Sequence, residues 1–170
     1  ELNNLIDKGY KNISILGVST GATVILNLML DGMIDTTKIK QVIFIDPFLS
    51  PQNKLLFLTP YLQYIVSNTR SGATRENEFR HWHVNRPATA LTQLVRLINL
   101  VRGKMQLKAD QINVPISVFS AIGDPVGDTD LTISFLKAHL SQLNVVLNSA
   151  ITSSTSKITT GRPFLSTTPC

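Results

Sequence analysis

The sequence predicts an α/β protein, a parallel sheet with helices on both faces, and three observations predict it. Short continuous apolar runs recur along the chain, Gly, Pro or Asp closes each of them, and helical patterns alternate with them. At 170 residues, with 43% apolar and 16% charged residues, the chain can build one well-buried core rather than two.

The elements follow in order. "ELNNLIDKGY" reads as the closing turns of a helix, with Leu2, Leu5 and Ile6 at helical spacing and Gly9 as its stop. "NISILGVS" (12–19) is a buried strand, and "TGATVILNLMLDG" (20–32) continues as a helix with Val24, Ile25, Leu28 and Met29 as its apolar side. "IKQVIFIDPF" (39–48) is a second strand, cut off at Asp46-Pro47 because proline cannot donate to a central ladder. "INVPISVFSAIGDPVGD" (112–128) is a third, left through a Gly/Asp/Pro turn, and "DLTISFLKAHLSQL" (130–143) is the helix after it. "NVVLNS" begins like a further strand, after which the chain becomes Ser/Thr-rich and aperiodic.

Residues 49–111 break the alternation. They open with "LLFLTPYLQYIV", pass through "SNTRSGATRENEFRHWH", and end in a helix whose stripe is Leu91, Leu94, Val95, Ile98 and Val101 beside Arg96, Asn99 and Arg102. A basic amphipathic helix can lie on a membrane surface, but sheet strands bracket this one, so a cap or lid is expected. The division is therefore 1–48 with 112–151 as core, 49–111 as a helical cap, and 152–170 as an irregular tail.

Composition narrows the function classes. Sixteen basic against eleven acidic residues give a net charge of +5, but the basic residues form no run interleaved with aromatics, so nucleic acid is not indicated. Cys170 is the only cysteine, so no intrachain disulfide can form and a cytoplasmic setting is the default. No apolar stretch reaches the roughly 18 residues of a membrane span, and no signal peptide opens the chain. No internal repeat is visible.

The chemistry concentrates in "ILGVSTGAT" (15–23). A nucleophile at the end of a parallel strand must turn its oxygen out over the following helix, in a strained backbone conformation that leaves room only for very small residues two places before and after. Gly17 and Gly21 stand at those places around Ser19. The pentapeptide alone is weakly specific; its position between strand and helix sharpens it. The same turn, with Thr20 and Thr23, would also suit a phosphate at a helix N-terminus, although neither the dinucleotide nor the P-loop pattern is present. A serine nucleophile needs a base, and the base an acid. Asp124 and Asp46 both stand where a strand ends; Asp124 is preferred because its strand comes after the cap. Asp128 is expected to cap the helix of 130–143.

These residues resemble the α/β-hydrolase superfamily, most closely its microbial carboxylesterase and monoacylglycerol-lipase group with a small helical cap. The resemblance rests on "LGVSTGA", on the order elbow, strand, cap, strand, and on "RPATALTQLVRLINLVRGKMQLKADQINVPISVFSAIGDPV"; it covers roughly residues 1–143. It implies a partial α/β-hydrolase fold and two-step acyl transfer, with Ser19 as nucleophile, the Thr20 N–H in the oxyanion hole and Asp124 as the triad acid. An acyl ester or lipid-like small molecule is the implied substrate, met under the apolar cap residues Leu55, Leu56, Phe57, Leu58 and Tyr61. No cofactor and no metal are implied, and the oligomeric state is left open.

The family places several strands and a second oxyanion donor before the elbow, and its histidine in a loop after the last strand. Here eighteen residues precede Ser19 and no histidine follows His139, so a fragment or degenerate copy of such an enzyme is expected. Lys157 falls near where that histidine would stand. His139 reads as structural, within an apolar helix, and His81 and His83 read as cap residues around Trp82 without a supporting metal-ligand cluster. A non-catalytic binding module of the same fold is the rival reading, and a nucleotide-binding α/β domain the lesser one.

Overall fold

The structure, a computed structural model, describes residues 2–65, 68–70 and 85–149. The elements run α1 (Leu2–Asp7), β1 (Ile13–Val18), α2 (Thr20–Leu30), β2 (Ile39–Ile45), a 3-10 turn (Lys54–Leu58), α3 (Thr59–Leu62), β3 (Asn68–Arg70), β4 (Asn85–Pro87), α4 (Ala88–Lys108), β5 (Ile116–Ile122), α5 (Thr129–His139) and β6 (Leu143–Ser149). Four of the strands form one parallel sheet in the order β1-β2-β5-β6. β3 and β4 make a separate antiparallel pair within the insertion.

The strand order explains where the core sits. Each crossover steps along the sheet in the same direction, and right-handed crossovers then put α2, α4 and α5 on one face. Leu26 and Leu30 of α2, Val101 and Met105 of α4, and Ile133 and Leu136 of α5 share one buried cluster with Val42, Phe44, Ile116 and Val118. Each fully buried side chain of this size contributes roughly 1.5–3 kcal/mol. The Lys104 ammonium ties α4 to α2 through Asn27 Oδ1 at 2.9 Å and Asp31 Oδ1 at 2.5 Å. The Arg102 guanidinium lies 4.4 Å from the centre of the Phe135 ring, joining α4 to α5. The second half of α4 thus belongs to the core, although the helix begins in the insertion.

The other face of the sheet is built differently. Val18, Ile45, Phe119 and Val146 stand in register across all four strands, and the first three remain at least 37% exposed among the described residues. The rows beside it hold Leu16, Ile43, Ser117 and Asn144, then Ser14 with Gln41, and no charged side chain.

Several boundaries and one helix face differ from the sequence reading. β2 stops at Ile45, and β5 begins only after Pro115 and ends at Ile122, so Pro47 and the Gly123-Asp124 turn stand outside the strands, while Pro115 O still accepts from Val42 N–H at 2.9 Å. On α2 the buried residues are Ala22, Thr23, Leu26, Met29 and Leu30, whereas Val24 is exposed. Met29 is buried, and Ile25 and Leu28 pack against the core as expected; the face extends to Ala22 and Thr23 rather than to Val24, because its first turn consists of a small and a polar residue, which hydropathy does not mark.

Candidate active site

Parallel strands put all their C-terminal ends on one rim, and the strand order fixes what meets there. Ser19 follows β1, Asp46 follows β2 and Asp124 follows β5. At strand spacings of about 4.8 Å the axes of β1 and β5 lie roughly 10 Å apart with β2 between them.

Ser19 adopts φ 51 and ψ −121, a left-handed conformation that L-residues rarely occupy and that costs on the order of 1–3 kcal/mol. Sterics and hydrogen bonds hold it. A Cβ on Gly17 would stand 2.7 Å from Ile25 Cδ1 and 2.8 Å from Ala22 Cα, so α2 can lie this close to β1 only over a glycine. The Ser19 N–H donates to Ile45 O (2.9 Å), and Ser19 O accepts from Ala22 N–H (3.1 Å) and Phe48 N–H (3.3 Å). Ser19 occupies the N-cap of α2, yet its side chain makes no capping hydrogen bond. The half-buried hydroxyl is therefore not tied to the helix it precedes. The Thr20 N–H is the first of α2 and has no acceptor one turn back within the helix.

The expectation for Gly21 is corrected. A Cβ there meets no atom within 4 Å, so this side of the serine tolerates bulk. Gly21 lies one residue into α2 with its Cα hydrogens facing outward, and only Gly17 faces the close approach.

Asp124 is half-buried, and its carboxylate folds back on its own turn. Oδ1 accepts from Val126 N–H at 2.9 Å and Oδ2 from Gly127 N–H at 3.2 Å. Asp46 has a positive φ of 45; its Oδ1 accepts from Ala121 N–H at 2.8 Å, and its own N–H donates to Phe119 O at 2.9 Å. Asp128 caps α5, accepting from Leu131 N–H at 3.0 Å and pairing with Lys54 Nζ at 3.1 Å. The Leu131 hydrogen bond first, and then the Lys54 contact, hold its carboxyl below the usual aspartate value.

What joins the serine turn to the carboxylate turn is the exit loop of β2, a role the sequence did not disclose. Buried Thr23 Oγ1 donates to Phe48 O at 2.7 Å, while the Phe48 N–H reaches Ser19 O. Farther along, Asp128 N–H donates to Ser50 O (2.8 Å) and Gln52 N–H to Val126 O (3.0 Å). The loop is thus stitched to Ser19 at one end and to the Asp124 turn at the other.

His139 ends α5 at the opposite rim from Ser19. Its Nδ1 lies 2.8 Å from Phe135 O and its ring centre 4.4 Å from that of Phe135, which is a locally satisfied, structural histidine. His81, His83, Trp82, Lys157 and Cys170 lie outside the described residues. Among the described residues no group of three or more His, Cys, Asp or Glu side chains is arranged to hold a metal ion, and no helix is long and apolar enough to cross a membrane.

A cavity of about 180 Å³ is lined by Asp124, Asp128, Asp130, Thr129, Gln52 and two glycines. It is smaller than the roughly 300–1,000 Å³ of ordinary ligand sites, its walls are acidic, and Ser19 does not line it. Of the apolar cap residues, Leu55, Leu58 and Tyr61 are exposed, and Leu56 and Phe57 are half-buried. None of the five belongs to the central core.

No protein-family model and no curated protein matches the sequence. Solved structures do resemble it. A monoacylglycerol lipase of Paleococcus ferrophilus superposes at a TM-score of 0.63 with 12% identity, over 88% of this chain and 63% of that one. A metagenome-derived lipolytic enzyme gives 0.67 with 8% identity, over 86% and 58%. A soluble variant of the monoglyceride lipase of Saccharomyces cerevisiae, in complex with a substrate analogue, gives 0.63 with 12% identity, over 88% and 56%. The chain therefore has an α/β-hydrolase-like fold, and it spans between 56% and 63% of the length of these three proteins.

Proposed function

We propose that this chain carries the nucleophile half of a serine hydrolase acting on acyl esters, of the carboxylesterase or lipase type, and is a fragment or degenerate copy of such an enzyme. The observation that carries the reading is Ser19: a non-glycine residue at φ 51 between strand and helix, with a hydroxyl its own helix does not use. Such strain persists where the surroundings over-determine it and concentrates at functional sites.

Ser19 Oγ would attack the ester carbonyl and lose its proton to a base. The oxyanion so formed would accept from the Thr20 N–H, a donor at the positive end of α2. Collapse of the tetrahedral intermediate expels the alcohol and leaves an acyl-enzyme, and water then releases the acid. Asp124 is the proposed orienting acid. A base standing over β2 would lie between it and Ser19, as the order β1-β2-β5 requires. The lipase neighbours support an ester substrate.

A second reading, a non-catalytic binding module, is favoured by one observation: the only described histidine, His139, stands on the far rim. Treating the 170-residue chain with a fluorophosphonate probe and p-nitrophenyl esters separates the two. The enzyme reading expects covalent labelling that disappears in Ser19→Ala. An unlabelled chain leaves the binding module.

A further inference from the structure

We propose that the buried Thr23 hydroxyl is a positioning residue for the oxyanion donor, acting through Phe48 on the peptide group that carries the Thr20 N–H. The inference rests on the hydrolase reading of Ser19 and adds to it a side chain that touches neither substrate nor nucleophile. A threonine in a helix ordinarily returns its hydroxyl to a carbonyl one turn back. Thr92 does so toward Ala88 O at 2.9 Å, and Thr59 toward Leu56 O at 2.8 Å. Thr23, fully buried in α2, instead donates across 25 residues of sequence to Phe48 O at 2.7 Å.

Phe48 is thereby held at both of its backbone groups, since its N–H donates to Ser19 O at 3.3 Å. That second contact is just longer than the usual N–H···O range, so by itself it defines a direction poorly. The Phe48 ring is buried, which fixes where the residue lies; the short Thr23 bond fixes how its peptide groups are turned. Ser19 O then has two donors, the Ala22 N–H at 3.1 Å from its own helix and the Phe48 N–H from the β2 exit loop. The Ser19 carbonyl and the Thr20 N–H are opposite ends of one planar trans peptide, so whatever holds the oxygen aims the N–H the other way. The rotation concerned is Ser19 ψ, −121, which places the Thr20 N–H relative to the Cα that bears the nucleophile. An oxyanion donor works only when it is aimed at the point where charge develops. The Thr23 hydroxyl, two hydrogen bonds away, keeps that aim.

The test compares Thr23→Val, which keeps the shape and removes the donor, with Thr23→Ser, which keeps the donor, and with Thr92→Val, which removes an equally buried hydroxyl from α4. The readout is fluorophosphonate labelling of the 170-residue chain, in which Ser19 Oγ passes its proton to the base and displaces fluoride from phosphorus, followed against probe concentration and beside urea unfolding. Thr23→Val should label roughly tenfold more slowly at saturating probe, with the half-saturating concentration within about twofold of wild type, because the donor acts in the transition state rather than on binding. Thr23→Ser should recover the rate to within about threefold. Thr23→Cys, a weaker donor of similar size, should fall between them and keeps the comparison should the valine variant not fold. Thr92→Val should lose stability yet label at the wild-type rate. A readout without turnover is amide exchange: the Phe48 N–H should exchange about tenfold faster in Thr23→Val and be unchanged in Thr92→Val. The positioning role is overturned by a wild-type labelling rate in the donor-deficient Thr23 variants, by a serine variant as slow as the valine one, by equal slowing in Thr92→Val, or by unchanged Phe48 exchange. A wild type that the probe never labels overturns the hydrolase reading itself and this role with it, a result distinct from a labelled wild type indifferent to Thr23.

Discussion

The serine turn and the carboxylate turn occupy the same rim with one strand between them, and different forces shape them. Around Ser19 the constraint is steric: Gly17 lies where any Cβ would meet Ile25 and Ala22 at under 3 Å. Around Asp124 it is polar: two backbone N–H groups of its own turn hold the carboxylate, and a Cβ on Gly127 would meet that carboxylate at 3.2 Å without touching backbone. One turn cannot be enlarged, while the other can be loosened by removing acceptors. The rim thus has a rigid end and a hydrogen-bonded end, with the β2 exit loop between them.

The largest effect that this contrast predicts is at Gly17. Gly17→Ala must push α2 away from β1, and a loss of about 3 kcal/mol is expected in urea unfolding. Gly21→Ala, at the other flank of the same serine, meets nothing and should be neutral or stabilising by up to about 1 kcal/mol. Equal losses at the two glycines would mean that packing does not set the shape of the turn.

Next in size is Asp46, where the two kinds of constraint meet. Asp46→Ala leaves the Ala121 N–H without its acceptor and puts an alanine at φ 45, for a combined cost of about 2 kcal/mol. Asp46→Asn keeps an acceptor and tolerates the left-handed conformation, so its cost should stay below about 0.5 kcal/mol. If the two variants unfold at the same urea concentration, the Ala121 contact carries no stability and the loop is held from its other end alone.

These contrasts also mark what the sequence could disclose. Strands β1, β2 and β5 were legible because β-branched runs bounded by proline, glycine and aspartate leave few alternatives. Ser19 was legible because a steric demand writes a glycine at a fixed offset, here Gly17. The Asp128 cap could be read from its place before an apolar helix, and the structure puts its side chain on Leu131 N–H. The inward face of α2 was read only in part: Ile25, Leu28 and Met29 pack on the core, but Ala22 is chosen for closeness to Gly17 and Thr23 for its bond to Phe48 O, and neither choice has a hydropathic signature. The β2 exit loop was illegible because most of its links run through backbone N–H and C=O groups, which every residue carries. Nor could composition distinguish apolar cap residues that face the core from ones that face solvent, since "LLFLTPYLQYIV" has the same hydropathy either way.

The smallest predicted effect bears on the hydrogen-bonded end alone. Asp128 keeps its carboxyl below the ordinary aspartate value, mainly through the Leu131 N–H and then through Lys54. A folded-state value below the unfolded one means that the ionised form is favoured in the fold. The stabilisation is therefore complete above about pH 4 and is lost as pH falls through the depressed folded value. Asp128→Asn keeps a capping oxygen and removes the titration, so the stability difference between wild type and variant should shrink as pH falls from about 6 toward 3. Asp35, lowered by its bonds from Thr37, titrates in both proteins and cancels in that difference. Hydrogen exchange locates the effect: in acid the amides of Asp128 and Leu131 should lose protection before those of Ser19 and Ala22, whose geometry rests on the close approach at Gly17 rather than on a titrating group. Simultaneous loss at both turns would show that the β2 exit loop couples them so tightly that the rim opens as one unit.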